Sequence, residues 1–211
     1  MKPGRIILVR HGESEGNFDK IHYETVPDYA LNLTPRGIDQ AKQAGAKIKN
    51  LIGSETLYVY ISPYYRTRQT YQYIKEYVSP NVVKAVEDPR LREQDWGHLR
   101  NADMNDEIVK NRHSYSAFYY RIPDGESGAD VYDRVSTFLE TLHRDFNKPD
   151  FPPNVLIVTH GMTLRLFLMR WFHWSVEEFE NLHNLQNCQV VVMKQEPDGH
   201  YNLVSELACG K

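Results

Sequence analysis

The sequence predicts an α/β fold, a mostly parallel central sheet with helices on both faces and an insertion covering the site. Three observations carry this. Apolar runs of four to six residues alternate with longer segments of helical spacing. The run from Val155 to Thr159 is almost wholly apolar, as a central parallel strand covered on both faces must be. Two of the runs end in a histidine followed by glycine, His11 with Gly12 and His160 with Gly161, where a strand turns into its next element.

Taken in order, Ile6 to Val9 is the first strand, and the turn after it reads RHGESEGN. Phe18 to Leu33 has no sustained periodicity and contains Pro27, which predicts a long loop near that strand end. Thr34 and Pro35 mark a helix start, with the hydroxyl as cap and proline in the first turn. Ile38, Ala41, Ala44, Ile48 and Leu51 give this helix one apolar face, and Gly53 ends it. Leu57 to Ile61 is the second strand, followed through SPYYRTRQT by a helix from Tyr65 to Val78. Val82 to Val86 is a third strand, leading into a turn-rich segment that reaches Leu91.

From Gly97 to Gly128 the pattern weakens into polar and aromatic residues, which predicts the insertion. Asp130 to Phe146 is a helix with the stripe Val131, Val135, Phe138, Leu142 and Phe146. The proline-bearing connection from Asn147 to Asn154 feeds the buried strand, and Thr163 to Phe172 continues as a helix. A short acidic helix from Val176 to His183 precedes two final strands, Cys188 to Met193 and Tyr201 to Glu206, joined by the turn around Pro197 to Gly199.

A length of 211 residues suits one domain, 1–211, with the insertion at about 97–128. The 41% hydrophobic and 25% charged fractions exclude disordered and fibrous classes. Arg165 and Arg170 interrupt the apolar stretch around Leu164 to Phe172, so no membrane span is expected. The four-residue apolar run after Lys2 and Arg5 is too short for a signal peptide, and a cytoplasmic protein is expected. A net charge of −3 argues against a general nucleic-acid surface, so affinity for an anion must come from a local positive cluster. Cys188 and Cys209 have no metal or redox spacing and read as free thiols. Composition leaves the oligomeric state open.

Parallel strands place their carboxyl ends on one edge, so both imidazoles face one crevice. A third strand end delivers Arg66, and a further element delivers Glu93 in LREQDWG. Arg10 is permanently charged and suited to bidentate phosphate contact, Gly12 lets the backbone approach an anion, and Asn17 adds neutral donors. A neutral imidazole attacks phosphorus when its other nitrogen is held as a donor, which makes His11 the nucleophile. No metal motif is visible, and Arg10, Arg66 and a protonated His160 stand where magnesium acts elsewhere, around the phosphoryl oxygens. Glu93 supplies the leaving group's proton and then deprotonates water, provided that its surroundings keep the carboxyl protonated part of the time.

Simpler readings hold for the neighbours. Glu13, Glu15 and Arg68 read as structural, and Ser127 before the helix reads as its cap, with Glu126 beside it ambiguous. Most of the other histidines, including His22, His98, His113 and His173, read as surface or structural groups. Tyr115, Phe118, Tyr119 and Tyr120, flanked by Arg112, His113 and Arg121, suit either core or a lid, and Trp96 and His22 suit the pocket mouth.

Five ordered motifs, RHGESEGN, LTPRGIDQA, SPYYRTRQT, LREQDWG and VTHGMTLR, together resemble the histidine phosphatase superfamily in its phosphoglycerate mutase-like branch. The resemblance implies His11 as phosphorylated nucleophile, Arg10, Arg66 and His160 as the phosphate pocket, Asn17 and the Gly161 amide as further donors, and Glu93 as proton donor. It implies a small phosphorylated substrate and no cofactor. LREQDWGHL, FYYRIPDGESGADVYDRVS and THGMTLRLFLMRWF are similar to a eukaryotic subgroup that includes fungal broad-range acid phosphatases and related plant proteins, which favours a metal-independent phosphomonoesterase. A cofactor-dependent mutase is the enzymatic alternative; the mutases resemble longer chains with an arginine pair in the insertion, whereas Arg100, Arg112 and Arg121 are not adjacent. A phosphate-binding module without turnover is the non-enzymatic alternative.

Overall fold

A computed structural model describes residues 2–97 and 102–209, without the side chains of 102–105, so His98 and Arg100 lie outside the described residues. Among these residues six strands form one sheet: β1 (Arg5–Arg10), β2 (Leu57–Ile61), β3 (Val82–Glu87), β4 (Asn154–Thr159), β5 (Val190–Gln195) and β6 (Tyr201–Leu203). Their spatial order is β3-β2-β4-β1-β5-β6. The first four run parallel, β5 adds antiparallel to β1, and β6 antiparallel to β5.

The side-chain alternation of a strand sends successive residues to opposite faces. Ile6 and Leu8 of β1, Tyr58 and Tyr60 of β2, and Val155 and Ile157 of β4 join one core. It is closed by α6 (Gly128–Phe146) and α7 (Gly161–Phe172) through Phe138, Phe146 and Phe167. Ile7 and Val9, Leu57 and Val59, and Leu156 and Val158 face the other core, covered by α3 (Pro35–Ile52) and α4 (Tyr65–Val78). Both cores demand apolar residues, which is why these strands read as continuous apolar runs rather than alternating ones.

Helix ends follow the expected chemistry. The Thr34 hydroxyl accepts from the Gly37 amide at 3.0 Å, and Gly53 takes a φ of 57° at the other end. Ser127 caps α6, accepting from the Asp130 amide at 3.2 Å while the Asp130 carboxylate accepts from the Ser127 amide at 2.7 Å.

Three expectations need correction. The segment from Phe18 to Leu33 is not one loop: it follows the single turn α1 (Glu15–Phe18) and holds α2 (His22–Thr25) and a 3-10 turn at Asp28–Ala30. Elements of three or four residues are too short to show a period. The insertion contains α5 (Ala102–Tyr115), whose described side chains are mostly exposed and so leave no apolar stripe to read. Phe118 is buried core, whereas Tyr115 and Tyr119 are exposed. At the carboxyl end, α8 (Val176–Glu180) and β6 are shorter than their sequence spans suggest, and β5 starts at Val190 rather than Cys188.

Beside the sheet, Arg134 of α6 holds the segment that carries Glu93. Its guanidinium donates to the carbonyls of Arg90, Arg92 and Glu93 at 2.7, 2.9 and 3.0 Å. It also donates twice to the Glu126 carboxylate, at 3.0 and 2.9 Å, and Glu126 pairs with Arg92 at 2.5 Å. The Arg134 and Glu126 side chains are only 10% and 14% exposed, so removing one leaves the other charge buried. We expect Arg134→Met to cost about 3–5 kcal/mol in urea denaturation. Arg68→Ala, which breaks the exposed Arg68–Glu87 pair, should cost less than about 1 kcal/mol. Equal losses would mean that Arg134 is not the staple described.

Candidate active site

The register of the parallel strands brings the site together. Arg10 lies opposite Thr159 and Ile61 opposite Val158, so His11, His160 and Ser62 leave three adjacent strands at one edge. That edge opens into a cavity of about 450 Å³, a volume suited to a small molecule. Arg10, His11, Asn17, Arg66 and Glu93 all line it, as the sequence predicts.

His11 is 3% exposed. Its Nδ1 lies 2.7 Å from the Gly12 carbonyl, a partner that only accepts, so Nδ1 carries the proton and donates. Nε2 then holds the lone pair, which accepts from Arg66 Nε at 3.2 Å. Burial, then the charges of Arg66 and Arg10, push the His11 pKa well below the ordinary histidine value. The ring is therefore a neutral imidazole with its basic nitrogen turned toward the arginines. Gly12 serves packing rather than anion approach: its amide donates to Thr70 Oγ1 at 3.0 Å, and a Cβ there would sit 2.5 Å from the Gly37 carbonyl of α3.

Arg66 comes from the first turn of α4 and is 3% exposed. Its guanidinium makes bonds of 2.9 and 3.3 Å to the two Asp28 carboxylate oxygens, and packs 5.0 Å from the centroid of the Tyr64 ring. Arg10 donates through Nη1 to the Leu185 carbonyl, while its buried Nε has no protein partner. Asn17 Oδ1 accepts from the Ser14 amide and from Asn187 Nδ2, each at 3.2 Å, which leaves its NH2 group as the donor on offer.

His160 and Gly161 depart from expectation. His160 is fully buried behind His11, the two rings 5.2 Å apart and edge to face, and it does not line the cavity. Its Nε2 lies 2.7 Å from Ser62 Oγ, and its Nδ1 has no protein partner. Burial, then Arg66 and His11, push its pKa well down, so the imidazole is neutral here rather than protonated. An anion bound beside it would act in the opposite sense and raise that pKa. Gly161 also stays off the cavity wall. A Cβ on it would sit 2.2 Å from Asn184 Oδ1, so the glycine admits the Asn184 side chain, which does line the cavity.

Glu93 is held at the amino end of α7. Its Oε2 accepts from the Met162 amide at 3.3 Å, and its Oε1 from the Thr163 and Gln94 amides at 3.3 and 3.0 Å. These donors fix the direction of the carboxyl on the wall of the cavity that His11 also lines.

The structural readings of the neighbours hold. Glu13 accepts from the Thr34 hydroxyl and pairs with Arg36, and Glu15 accepts from the Asn32 amide. Trp96 and Arg112 line the cavity, whereas His22 and Arg121 do not. Sequence reasoning missed Asp28, Tyr23, Arg165 and Asn184, all on the wall. Arg165 carried a readable signal, standing five residues after His160 and one turn beyond Met162 on the same helix. Asp28 lay in a stretch without periodicity, with nothing to mark it. Burial, then the Asp28 charge, lifts the Tyr23 phenol to about 12, so it remains a neutral hydrogen-bonding group.

Residues 6–206 match the histidine phosphatase superfamily (branch 1). The chain is 45% identical to the phosphoglycerate mutase-like protein AT74 of Arabidopsis thaliana, covering 95% of this chain and 68% of that protein. It is 31% identical to the broad-range acid phosphatase DET1 of Saccharomyces cerevisiae, covering 92% of this chain and 86% of that one. Among solved structures, a mycobacterial glucosyl-3-phosphoglycerate phosphatase superposes with a TM-score of 0.74 at 21% identity, over 97% of this chain and 99% of that chain. The last likeness concerns the fold; the first two, with the family match over nearly the whole length, place this chain in the histidine phosphatase superfamily.

Proposed function

We propose that this protein hydrolyses small phosphomonoesters through a phosphohistidine at His11, without a metal ion. The observation that carries the reading is the bond from His11 Nδ1 to the Gly12 carbonyl, which leaves the Nε2 lone pair beside Arg66 in the cavity. Its relative named a broad-range acid phosphatase supports hydrolysis over isomerisation.

In the first step Nε2 of His11 forms a bond to phosphorus as the ester P–O bond breaks, and the Glu93 carboxyl gives its proton to the departing oxygen. Arg10 and Arg66 neutralise the charge that spreads over the equatorial oxygens, with Asn17 as a neutral donor. Arg66 Nε–H turns from the His11 lone pair to a phosphoryl oxygen, while Asp28 keeps its hold on the Nη groups. His160, with one nitrogen unpartnered behind His11, takes up a proton as the dianion arrives and becomes a further donor. In the second step Glu93 accepts a proton from water, the water oxygen bonds to phosphorus, and the P–N bond breaks to release inorganic phosphate and restore His11.

His11→Ala should abolish phosphate release from a monoester panel and remove the acid-labile phosphoprotein trapped by rapid quench; retained turnover sinks the mechanism. Glu93→Gln should lower kcat by roughly 10²- to 10⁴-fold, with phosphate added to the medium giving no recovery. Release should persist in excess EDTA, since guanidinium groups take the part of a metal ion.

The pH dependence has a definite sign. His11 must be unprotonated to attack, and its pKa is lowered, so kcat/KM should not fall as pH drops through the ordinary histidine value of about 6.5. After correction for the substrate's own ionisation, an acid limb centred at that value would contradict the neutral, buried His11.

A further inference from the structure

The loop 181–189 between α8 and β5 supplies none of the site residues that the sequence predicts, yet it holds three of them. The Leu185 carbonyl accepts from Arg10 Nη1. The Cys188 amide donates to the Arg10 and His11 carbonyls at 3.0 and 3.3 Å, from a residue whose φ of 56° lies in the left-handed region that a side chain seldom takes. Next to it, Asn187 donates through Nδ2 to the His11 carbonyl at 3.0 Å and to Asn17 Oδ1 at 3.2 Å. Asn187 itself stands off the cavity wall, whereas Asn17 is part of it.

Backbone groups at both ends leave this chain of bonds one orientation. A carbonyl only accepts, so the Asn187 atom facing His11 belongs to its NH2 group. An amide N–H only donates, so the Asn17 atom facing the Ser14 amide at 3.2 Å is its oxygen. Both hydrogens of the Asn187 NH2 group are then engaged, one on the backbone of the nucleophile and one on Asn17. Asn17 Oδ1 is drawn into the bonds from Ser14 and Asn187, which leaves its NH2 group as the end free to meet an anion. The reverse orientation would set an amide oxygen against phosphoryl oxygens and repel them.

We infer that Asn187 is a positioning residue for phosphate recognition, one that locks the Asn17 amide with its NH2 group presented to the phosphoryl oxygens and ties that donor to the backbone of His11. The identity of the anion rests on the phosphatase reading above. The test uses the whole protein and two measurements, calorimetric affinity for inorganic phosphate and kcat/KM for 4-nitrophenyl phosphate. In the wild type, Asn17→Ala should weaken both by about three- to tenfold, the worth of one neutral hydrogen bond. Asn187→Asp keeps the shape of the side chain but replaces the NH2 group with an acceptor. Its carboxylate draws the Asn17 NH2 group through a charge-assisted bond that outweighs the neutral one from Ser14, so the Asn17 oxygen swings toward the phosphate. In that background Asn17→Ala should tighten phosphate binding instead of weakening it, a reversal of sign that a merely structural residue would not produce. Asn187→Ala removes one of the two bonds to Asn17 Oδ1 without adding charge, and there the Asn17→Ala factor should shrink; this pair decides the matter if the aspartate variant does not fold. The same Asn17→Ala factor in every background overturns the role of Asn187. Phosphate affinities that follow the expected pattern without any release of phosphate from the ester overturn the phosphatase reading and leave the positioning role standing.

Discussion

The pairing of β4 between β1 and β2 is the constraint on which the site depends. These three strands are parallel and in a fixed register, which sets Arg10 opposite Thr159 and Ile61 opposite Val158. A slip of one residue would exchange the two faces of a strand and send Val155 and Ile157 into the wrong core. The two apolar layers thus guard the register, and the register sets His11, Ser62 and His160 side by side. Chemistry at the edge inherits its geometry from hydrophobic burial in the middle.

That arrangement sets up an electrostatic problem and answers it locally. The chain is net negative, yet its cavity gathers arginines from β1, α4, α5 and α7 around two buried imidazoles. Burial, reinforced by the nearby fixed cations, keeps both rings neutral. Asp28 pairs with Arg66 but not with Arg10, whose buried Nε has no protein partner. On the proposed reading, the protonation state of His160 becomes a consequence of binding rather than a prior condition.

Much of this was legible from sequence, and the limits have physical causes. The bounds read for β2 and α4 match the structure, β2 because a strand buried on both faces leaves a continuous apolar run. His11, Arg10, Arg66 and Glu93 stand beside recognisable element boundaries, so topology alone collected them. Asp28 sits in a 3-10 turn with no pattern to betray it, and nothing in the sequence around Arg134 marks the five hydrogen bonds that it donates. Gly12 and Gly161 were read as anion contacts when each yields room to a neighbouring group, because sequence records that a side chain is missing but not what fills the space.

No described side chain of the helix α5 joins either core. It stands outside the sheet layers, with most described side chains exposed, and reaches the cavity through Arg112 and the mouth residue Val109. Its composition is therefore released from the packing demands that govern β1, β4 and α7. A substitution on its exposed face therefore alters the cavity's surroundings while leaving the two sheet-covering cores, and the edge geometry that they set, untouched.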